Sequence, residues 1–327
     1  MHKIVVLGDY PKNLFEMFDA LKKEFGVEDV QLVSPTQEEK ETELMDAEVV
    51  IAGGMSEADL NASPNLKFIQ VPFAGVDSFD VPDLVRRGIK IANVHDNAAA
   101  VAEFAFALVL ALAKNVVGGD KDLRIGYWHG WQARETVVSL EGKTMTILGI
   151  GNIGKEIAKF AKAFNMHVIG VKREKTTQPI PNVDEVYTTD EIETAIEKGD
   201  FIVCALPLTN DTKGMVNKKL FEKMRGKFFV NVGRGAVVNE EDLFVALKSG
   251  VLRGAGIDTW WVYPPKPMQI TLPSKYPFHG LNNIVMTPHA AGATDVTQQR
   301  MWETSLRNAL KFIKGLPIEN EVKEFGY

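Results

Sequence analysis

A single cysteine, Cys204, is all the thiol chemistry that 327 residues contain. One thiol closes no internal disulfide and builds no thiolate metal site, which fits a reducing, cytoplasmic setting. A basic excess is missing too: 37 Lys and Arg stand against 43 Asp and Glu, a net charge of −6. Duplex-binding domains carry a basic patch or stripe, so nucleic acid is not an expected partner. No apolar run reaches the roughly 20 residues that a bilayer span needs. The longest, Ala98 to Ala113, is interrupted by Glu103. The opening MHKIVVLGDY reads as a first strand and not as a secretory signal, because Asp9 and Pro11 cut the apolar run short. No membrane contact is expected, and no His/Cys/Asp/Glu cluster has metal-ligand spacing.

What is present is an ordinary globular balance, 45% hydrophobic and 24% charged, on a chain long enough for two domains at about 150 residues each. Short β-branched runs alternate with longer amphipathic segments. Strands are expected at Ile4–Leu7, Val49–Ile51, Phe68–Val71 and Lys90–Ala92, with helices at Leu14–Phe25 and Asp83–Arg87. A long Ala- and Leu-rich helix is expected over residues 98–117, apolar on nearly every side and therefore buried. A second series follows, with strands at Thr144–Leu148, His167–Val171, Phe201–Leu206, Phe228–Val232, Gly254–Ile257 and Ile284–Met286 and a last helix at Thr297–Lys314. Such alternation gives βαβ units and parallel sheets. The reading is two α/β sheets of similar size, one inserted into the sequence of the other.

The segment T-M-T-I-L-G-I-G-N-I-G-K-E-I-A-K-F places Gly149, Gly151 and Gly154 between a strand and a helix. Gly149 permits the tight turn, Gly151 lets backbone approach a pyrophosphate, and Gly154 permits close helix–strand packing. The phosphates would then meet the helix N-terminus. A dinucleotide site for NAD normally ends the next strand in Asp or Glu. Here Lys172 and Arg173 hold that place, and two cations favour the 2′-phosphate of NADP(H) over NAD(H). The other reading makes both solvated strand-end charges and gives the ribose to Glu174.

Arg234 follows a strand, at the carboxyl edge where doubly wound folds bind ligands. Its planar fork suits a carboxylate, and its flanking Gly233 and Gly235 would leave the side chain free to approach one. His289 lies in a Pro-flanked turn after a strand, and an imidazole is suited to protonating a carbonyl oxygen. His2, His95, His129, His167 and His279 carry no such context and read as structural. Cys204 reads as a buried strand residue.

These residues, with Phe-Val-Asn-Val-Gly-Arg-Gly-Ala-Val-Val-Asn-Glu-Glu-Asp-Leu at 229–243, Gly-Ile-Asp at 256–258 and Thr-Pro-His-Ala-Ala-Gly-Ala-Thr at 287–294, make the chain resemble the D-isomer-specific 2-hydroxyacid dehydrogenases over nearly its whole length. The resemblance implies a Rossmann cofactor domain, residues 98–291, inserted into a discontinuous flavodoxin-like substrate domain, residues 1–97 and 292–327. It implies an active site in the cleft between them and a homodimer, with Trp128 and Trp131 in the dimerisation arm. It further implies that Asn152, Ile153, Pro207, Val232, Gly233 and Gly292 contact the cofactor and that Asp258 bonds the nicotinamide carboxamide. Ala74 and Gly75 would hold the substrate carboxylate through backbone N–H groups. Asn97 matches the family's cleft asparagine and equally suits a helix cap. The implied activity is an NAD(P)-dependent D-2-hydroxyacid dehydrogenase or 2-oxoacid reductase.

One position departs from the pattern. The family places a glutamate five residues after Asp258, paired with the catalytic histidine, and here that residue is Tyr263. No Asp or Glu occurs from Thr259 to Pro288. A neutral phenol stabilises imidazolium less than a carboxylate does, so reduction is expected to weaken above about pH 6–7. Formate dehydrogenases of the superfamily carry a neutral glutamine there, which keeps oxidation of a small anion open as an alternative. A dinucleotide-sensing binding protein like the C-terminal-binding corepressors is another. Trp260, Trp261 and Tyr263 either line the cleft or, for the tryptophans, cover the domain interface.

Overall fold

A computed structural model describes residues 1–128, 137–176, 178–265 and 268–323. His129 and Trp131 lie outside the described residues. By its contacts the chain divides into two compact units, Met1–Asn97 together with the chain from Ala293 onward, and Ala98–Gly292.

In the first unit, strands β1 (His2–Leu7), β2 (Val30–Val33), β3 (Val49–Ala52), β4 (Phe68–Gln70) and β5 (Lys90–Ala92) form a parallel sheet in the order β2-β1-β3-β4-β5. Successive side chains of a strand face opposite ways, and both faces here are covered. Ile4, Val6, Val49 and Ile51 pack with Leu14, Phe18, Trp302 and Leu306. Val5, Val50 and Ala52 pack with Leu44, Val81 and Leu84. Double burial is why these strands read as unbroken apolar runs. The helix Thr297–Ile313 belongs to this unit through a buried polar tie: Asn308 Nδ2 donates to Gln70 Oε1 at 2.9 Å. Strand β2 and the short helices Lys40–Met45 and Glu57–Asn61 were not expected from the sequence. Their few residues carry too little periodicity to stand out.

The second unit opens on the apolar helix Ala98–Ala113, where Ala102, Ala105, Val109 and Ala113 are completely buried. The expected helix over 98–117 does not run through. Asn115 adopts a left-handed conformation (φ 49°), and the chain restarts as a separate helix, Val116–Arg124, bent by 58° from the first. A left-handed residue ends an α-helix. Among the described residues no single helix is long and apolar enough to cross a membrane.

Its sheet has seven parallel strands: β6 (Thr144–Leu148), β7 (His167–Lys172), β8 (Glu185–Thr188), β9 (Phe201–Cys204), β10 (Phe228–Asn231), β11 (Gly254–Ile257) and β12 (Ile284–Met286), in the order β12-β11-β10-β9-β6-β7-β8. Strand β8 was also unexpected: it is an edge strand with no fully buried residue. The register sets Val171, Leu148, Cys204, Asn231, Ile257 and Met286 side by side. Because all the strands run the same way, the residues that follow this row emerge on one edge. The strand order reverses direction at β6, between β7 and β9, and such a switch point is where open α/β sheets bind ligands.

Candidate active site

The turn after β6 opens this edge. Gly149 has φ 98°, and a Cβ there would approach Ala205 O to 3.1 Å, so only glycine fits beside β9. A Cβ on Gly154 would lie 2.1 Å from Gly149 O, which is the close helix–strand contact that the spacing calls for. Gly151 is the N-cap of the helix Asn152–Ala163, with no side-chain cap and open space where a Cβ would point. Helix N–H groups left without a side-chain cap, behind a residue that blocks nothing, suit a phosphate. The Gly149 N–H donates to Val171 O at 2.9 Å, which ties the turn to the end of β7. Lys172, half-buried, and Arg173, exposed, follow directly. Pro207 lies just past β9, its carbonyl accepting from Thr212 Oγ1 at 2.6 Å.

Beyond β10, Val232, Gly233 and Arg234 form a loop that its own residues clamp. Buried Asn231 accepts from the Gly233 N–H through Oδ1 (3.1 Å) and donates from Nδ2 to the Arg234 carbonyl (3.1 Å). The two glycines have a different role from the one expected. A Cβ on Gly233 would lie 2.4 Å from Leu206 O, and one on Gly235 would lie 2.2 Å from Trp260 O. They let the loop press onto neighbouring backbone, and the guanidinium is held: Nη1 donates to Gly233 O at 2.9 Å.

Asp258, completely buried at the end of β11, accepts from Thr287 Oγ1 (2.7 Å) and the Ala290 N–H (3.0 Å) on Oδ1, and from the Ala291 N–H (3.1 Å) on Oδ2. A carboxylate has about four acceptor positions, and these bonds use three of them. The same bonds brace the chain on either side of His289, whose φ of 56° is unusual for a residue with a side chain. Gly292 ends the unit just beyond. Sequence reasoning had singled out neither Asn231 nor Thr287. Both sit inside the quoted motifs, but neither has a residue type that by itself announces chemistry.

Tyr263 reaches His289. Its Oη lies 2.9 Å from His289 Nδ1 and accepts the Trp260 backbone N–H at 3.1 Å. The tyrosine is 47% exposed. The indoles are committed to the core of this unit. Trp260 Nε1 donates to Thr287 O (2.7 Å), Trp261 Nε1 donates to Val238 O (3.0 Å), and Trp261 stacks on Phe278. Trp260 is only 5% exposed. Cys204 is fully buried, and burial pushes its thiol up to about 12, which leaves it no nucleophilic thiolate.

The other expected residues belong to the first unit. Asn93 Nδ2 donates to Ala74 O at 2.6 Å and fixes the loop after β4, in which Gly75 is buried. Asn97 Oδ1 is buried with no hydrogen-bond partner, so it does not cap the helix that follows, and the cap reading is set aside. Most buried polar atoms have a hydrogen-bond partner. Thr259 Oγ1 is a second such atom, next to Asp258.

Comparison with known proteins agrees with this geometry. Residues 106–291 match the family described as D-isomer specific 2-hydroxyacid dehydrogenase, NAD binding domain. A glyoxylate reductase of Pyrococcus furiosus is 35% identical over 260 residues, 77% of this chain and 74% of that one. A solved protein of Pyrococcus horikoshii superposes with a TM-score of 0.82 at 29% identity, over 99% of this chain and 96% of the other. An acyclic imino acid reductase, solved in complex with NADPH and D-Arg, gives 0.79 at 25% identity over 98% and 100%. The chain therefore belongs to the D-isomer specific 2-hydroxyacid dehydrogenase family, as an NAD(P)-dependent oxidoreductase acting on the CH–OH group.

Proposed function

We propose that this enzyme works chiefly as an NADPH-dependent reductase of small 2-oxo acids, with glyoxylate as the first candidate. The observation that carries the reading is the placing of Arg234 and His289 on the same carboxyl edge as the glycine-rich turn. The similarity to a glyoxylate reductase supports the substrate. Lys172 at the end of β7 and Arg173 just after it support the 2′-phosphate, as does a structural neighbour solved in complex with NADPH.

The residues of the second unit fit a dinucleotide. Gly151, Asn152 and Ile153 at the helix start would take the pyrophosphate, Pro207, Val232, Gly233 and Gly292 would flank it, and the spare acceptor position of Asp258 would take the carboxamide. Bound and reduced, the cofactor supplies a hydride. Arg234 would pair with the substrate carboxylate and polarise the adjacent carbonyl, its cation already oriented by its own loop. His289 would donate a proton to the carbonyl oxygen as negative charge develops there. The carboxylate-holding roles of Ala74 and Gly75, and the substrate contact of Asn97, are part of the same proposal. Homodimerisation, with Trp128 in the contact, is likewise proposed.

Oxidation of NADPH and of NADH by the purified protein, followed by the loss of nicotinamide absorbance with glyoxylate, hydroxypyruvate, pyruvate or phenylpyruvate, tests the reading. Turnover that R234A and H289Q each lower by about 10²-fold or more is expected. Wild-type protein that turns over none of these acids would overturn it.

A further inference from the structure

We propose that Tyr263 is a positioning residue that holds neutral His289 as its Nε2–H tautomer, by donating the phenol hydrogen to Nδ1, and that it passes a proton through the ring when Nε2 protonates the substrate. The inference rests on the reductase reading and says how that reading works without the family's glutamate.

The geometry is a junction of two bonds at one oxygen. A backbone N–H can only donate, so toward Trp260 the Tyr263 oxygen accepts. Toward Nδ1, at 2.9 Å, it can give its hydrogen. The junction is rigid on the Trp260 side, because that indole is buried and its Nε1 is bonded to Thr287 O, two residues before His289. The segment carrying Tyr263 and the turn carrying His289 are therefore tied at two points. Asp258 spends its carboxylate on Thr287, Ala290 and Ala291, Arg234 is a cation on the neighbouring strand edge, and residues 259–288 contain no Asp or Glu.

A phenol and a carboxylate act oppositely on the ring. A carboxylate only accepts, so it keeps the proton on Nδ1 and leaves neutral histidine a bare, basic Nε2. A phenol that donates to Nδ1 leaves neutral histidine with its proton on Nε2, still a donor above the pH at which imidazolium is lost. The step balances. Hydride from reduced nicotinamide forms the C–H bond at C2, and the carbonyl π pair moves onto oxygen. That oxygen takes the hydrogen of Nε2, and Nδ1 takes the hydrogen of Oη. The phenolate left behind keeps the Trp260 N–H bond and regains a proton from water, which the half-exposed ring can reach. The nicotinamide is oxidised and the 2-oxo acid becomes a 2-hydroxy acid. By microscopic reversibility, oxidation runs the same relay backward, from the phenolate of Tyr263 and a protonated Nδ1. On this account the decline in reduction above about pH 6–7, expected from the missing glutamate, does not occur.

The test has a readout that needs neither cofactor nor turnover. Protein labelled with ¹⁵N in histidine, its His289 signals assigned by their loss in H289Q, reports the two ring nitrogens separately above pH 8. A bare Nδ1 and a protonated Nε2 are expected, and the reverse would overturn the proposal. Y263F should relax that preference, and its deficit in reduction should be about tenfold or more greater at pH 9 than at pH 6. An equal deficit at both values would reduce Tyr263 to packing. Y263E should move the proton of the neutral ring to Nδ1 in the same spectrum. Wild-type protein inactive on every 2-oxo acid would sink the reductase reading, and the tautomer would still be decided by the spectrum.

Discussion

The Asp258 carboxylate accepts the Ala290 N–H at 3.0 Å, immediately beyond His289. It is one of three bonds by which a completely buried charge braces the backbone around His289, whose φ lies at 56°. A non-glycine residue in that region costs about 1–3 kcal/mol and persists only where its surroundings over-determine it. Asp258 supplies that over-determination.

The substitution D258N keeps the size of the side chain and replaces one acceptor oxygen with a donor. Either the Ala291 N–H or the pair from Thr287 and Ala290 then faces an NH₂ group. Loss of a charged, buried acceptor costs about 2–4 kcal/mol. The expected outcome is a lowered unfolding midpoint and a fall in kcat larger than the rise in KM for NADPH, because the histidine turn relaxes. A variant with full kcat and only a raised KM for cofactor would assign Asp258 to the carboxamide alone.

Gly235 gives a sharper steric test. A Cβ at this position would stand 2.2 Å from the Trp260 carbonyl oxygen, which is backbone and cannot rotate away. G235A must therefore push the Arg234 loop away from the Trp260 backbone, at about 1–3 kcal/mol. Reduction of a 2-oxo acid should fall at least tenfold in kcat/KM, since misplacing the guanidinium weakens both carboxylate pairing and polarisation. NADPH affinity, measured by fluorescence titration, should change much less. Parallel loss of both would show that the loop serves the cofactor as much as the substrate.

The outline of both sheets was legible in the sequence because their central strands are buried on two faces and read as solid apolar runs, Val49–Ala52 and Phe201–Cys204 among them. Edge strand Glu185–Thr188 was not, because half-exposed residues lose that signature. At the site, Gly149, Arg234, Asp258 and His289 announced themselves through motif and residue type. The clamp made by Asn231 did not, because an asparagine in a strand declares no partner. The reason for the glycines beside Arg234 was also hidden. Their spacing suggested freedom for the arginine, whereas carbonyl oxygens of Leu206 and Trp260, distant in sequence, demand the missing side chains. Tyr263 was visible as a departure, but its bond to the Trp260 N–H depends on a loop conformation that composition does not encode.

Cofactor choice is open to a direct measurement. Lys172 ends the strand next to the glycine-rich turn and Arg173 follows it, where a 2′-phosphate would lie. Hydrogen bonds to charged groups contribute about 1.5–3 kcal/mol each. Replacing both residues by alanine should therefore raise the KM for NADPH about 100-fold or more and leave that for NADH within about threefold. Equal effects on the two cofactors would leave the 2′-phosphate assignment without support.

Away from the site, Glu185 on the edge strand gathers Lys198, Tyr187 and His167 within 2.6–2.8 Å. Lys198, Tyr187 and His167, in that order, hold its carboxyl down to about 2, against an ordinary 4.5. The carboxylate thus titrates lower folded than unfolded, so its contribution to stability is fully present above pH 4.5 and is lost as pH falls toward 2. Partial exposure of the cluster keeps the effect modest. The variant E185Q removes the charge at all pH values. Its unfolding midpoint should lie below that of the wild type at pH 6–7 and converge with it as the buffer is taken from pH 4.5 toward 2. A gap that stays constant across that window would mean that Glu185 stabilises the edge by packing and neutral hydrogen bonds, with its charge contributing nothing.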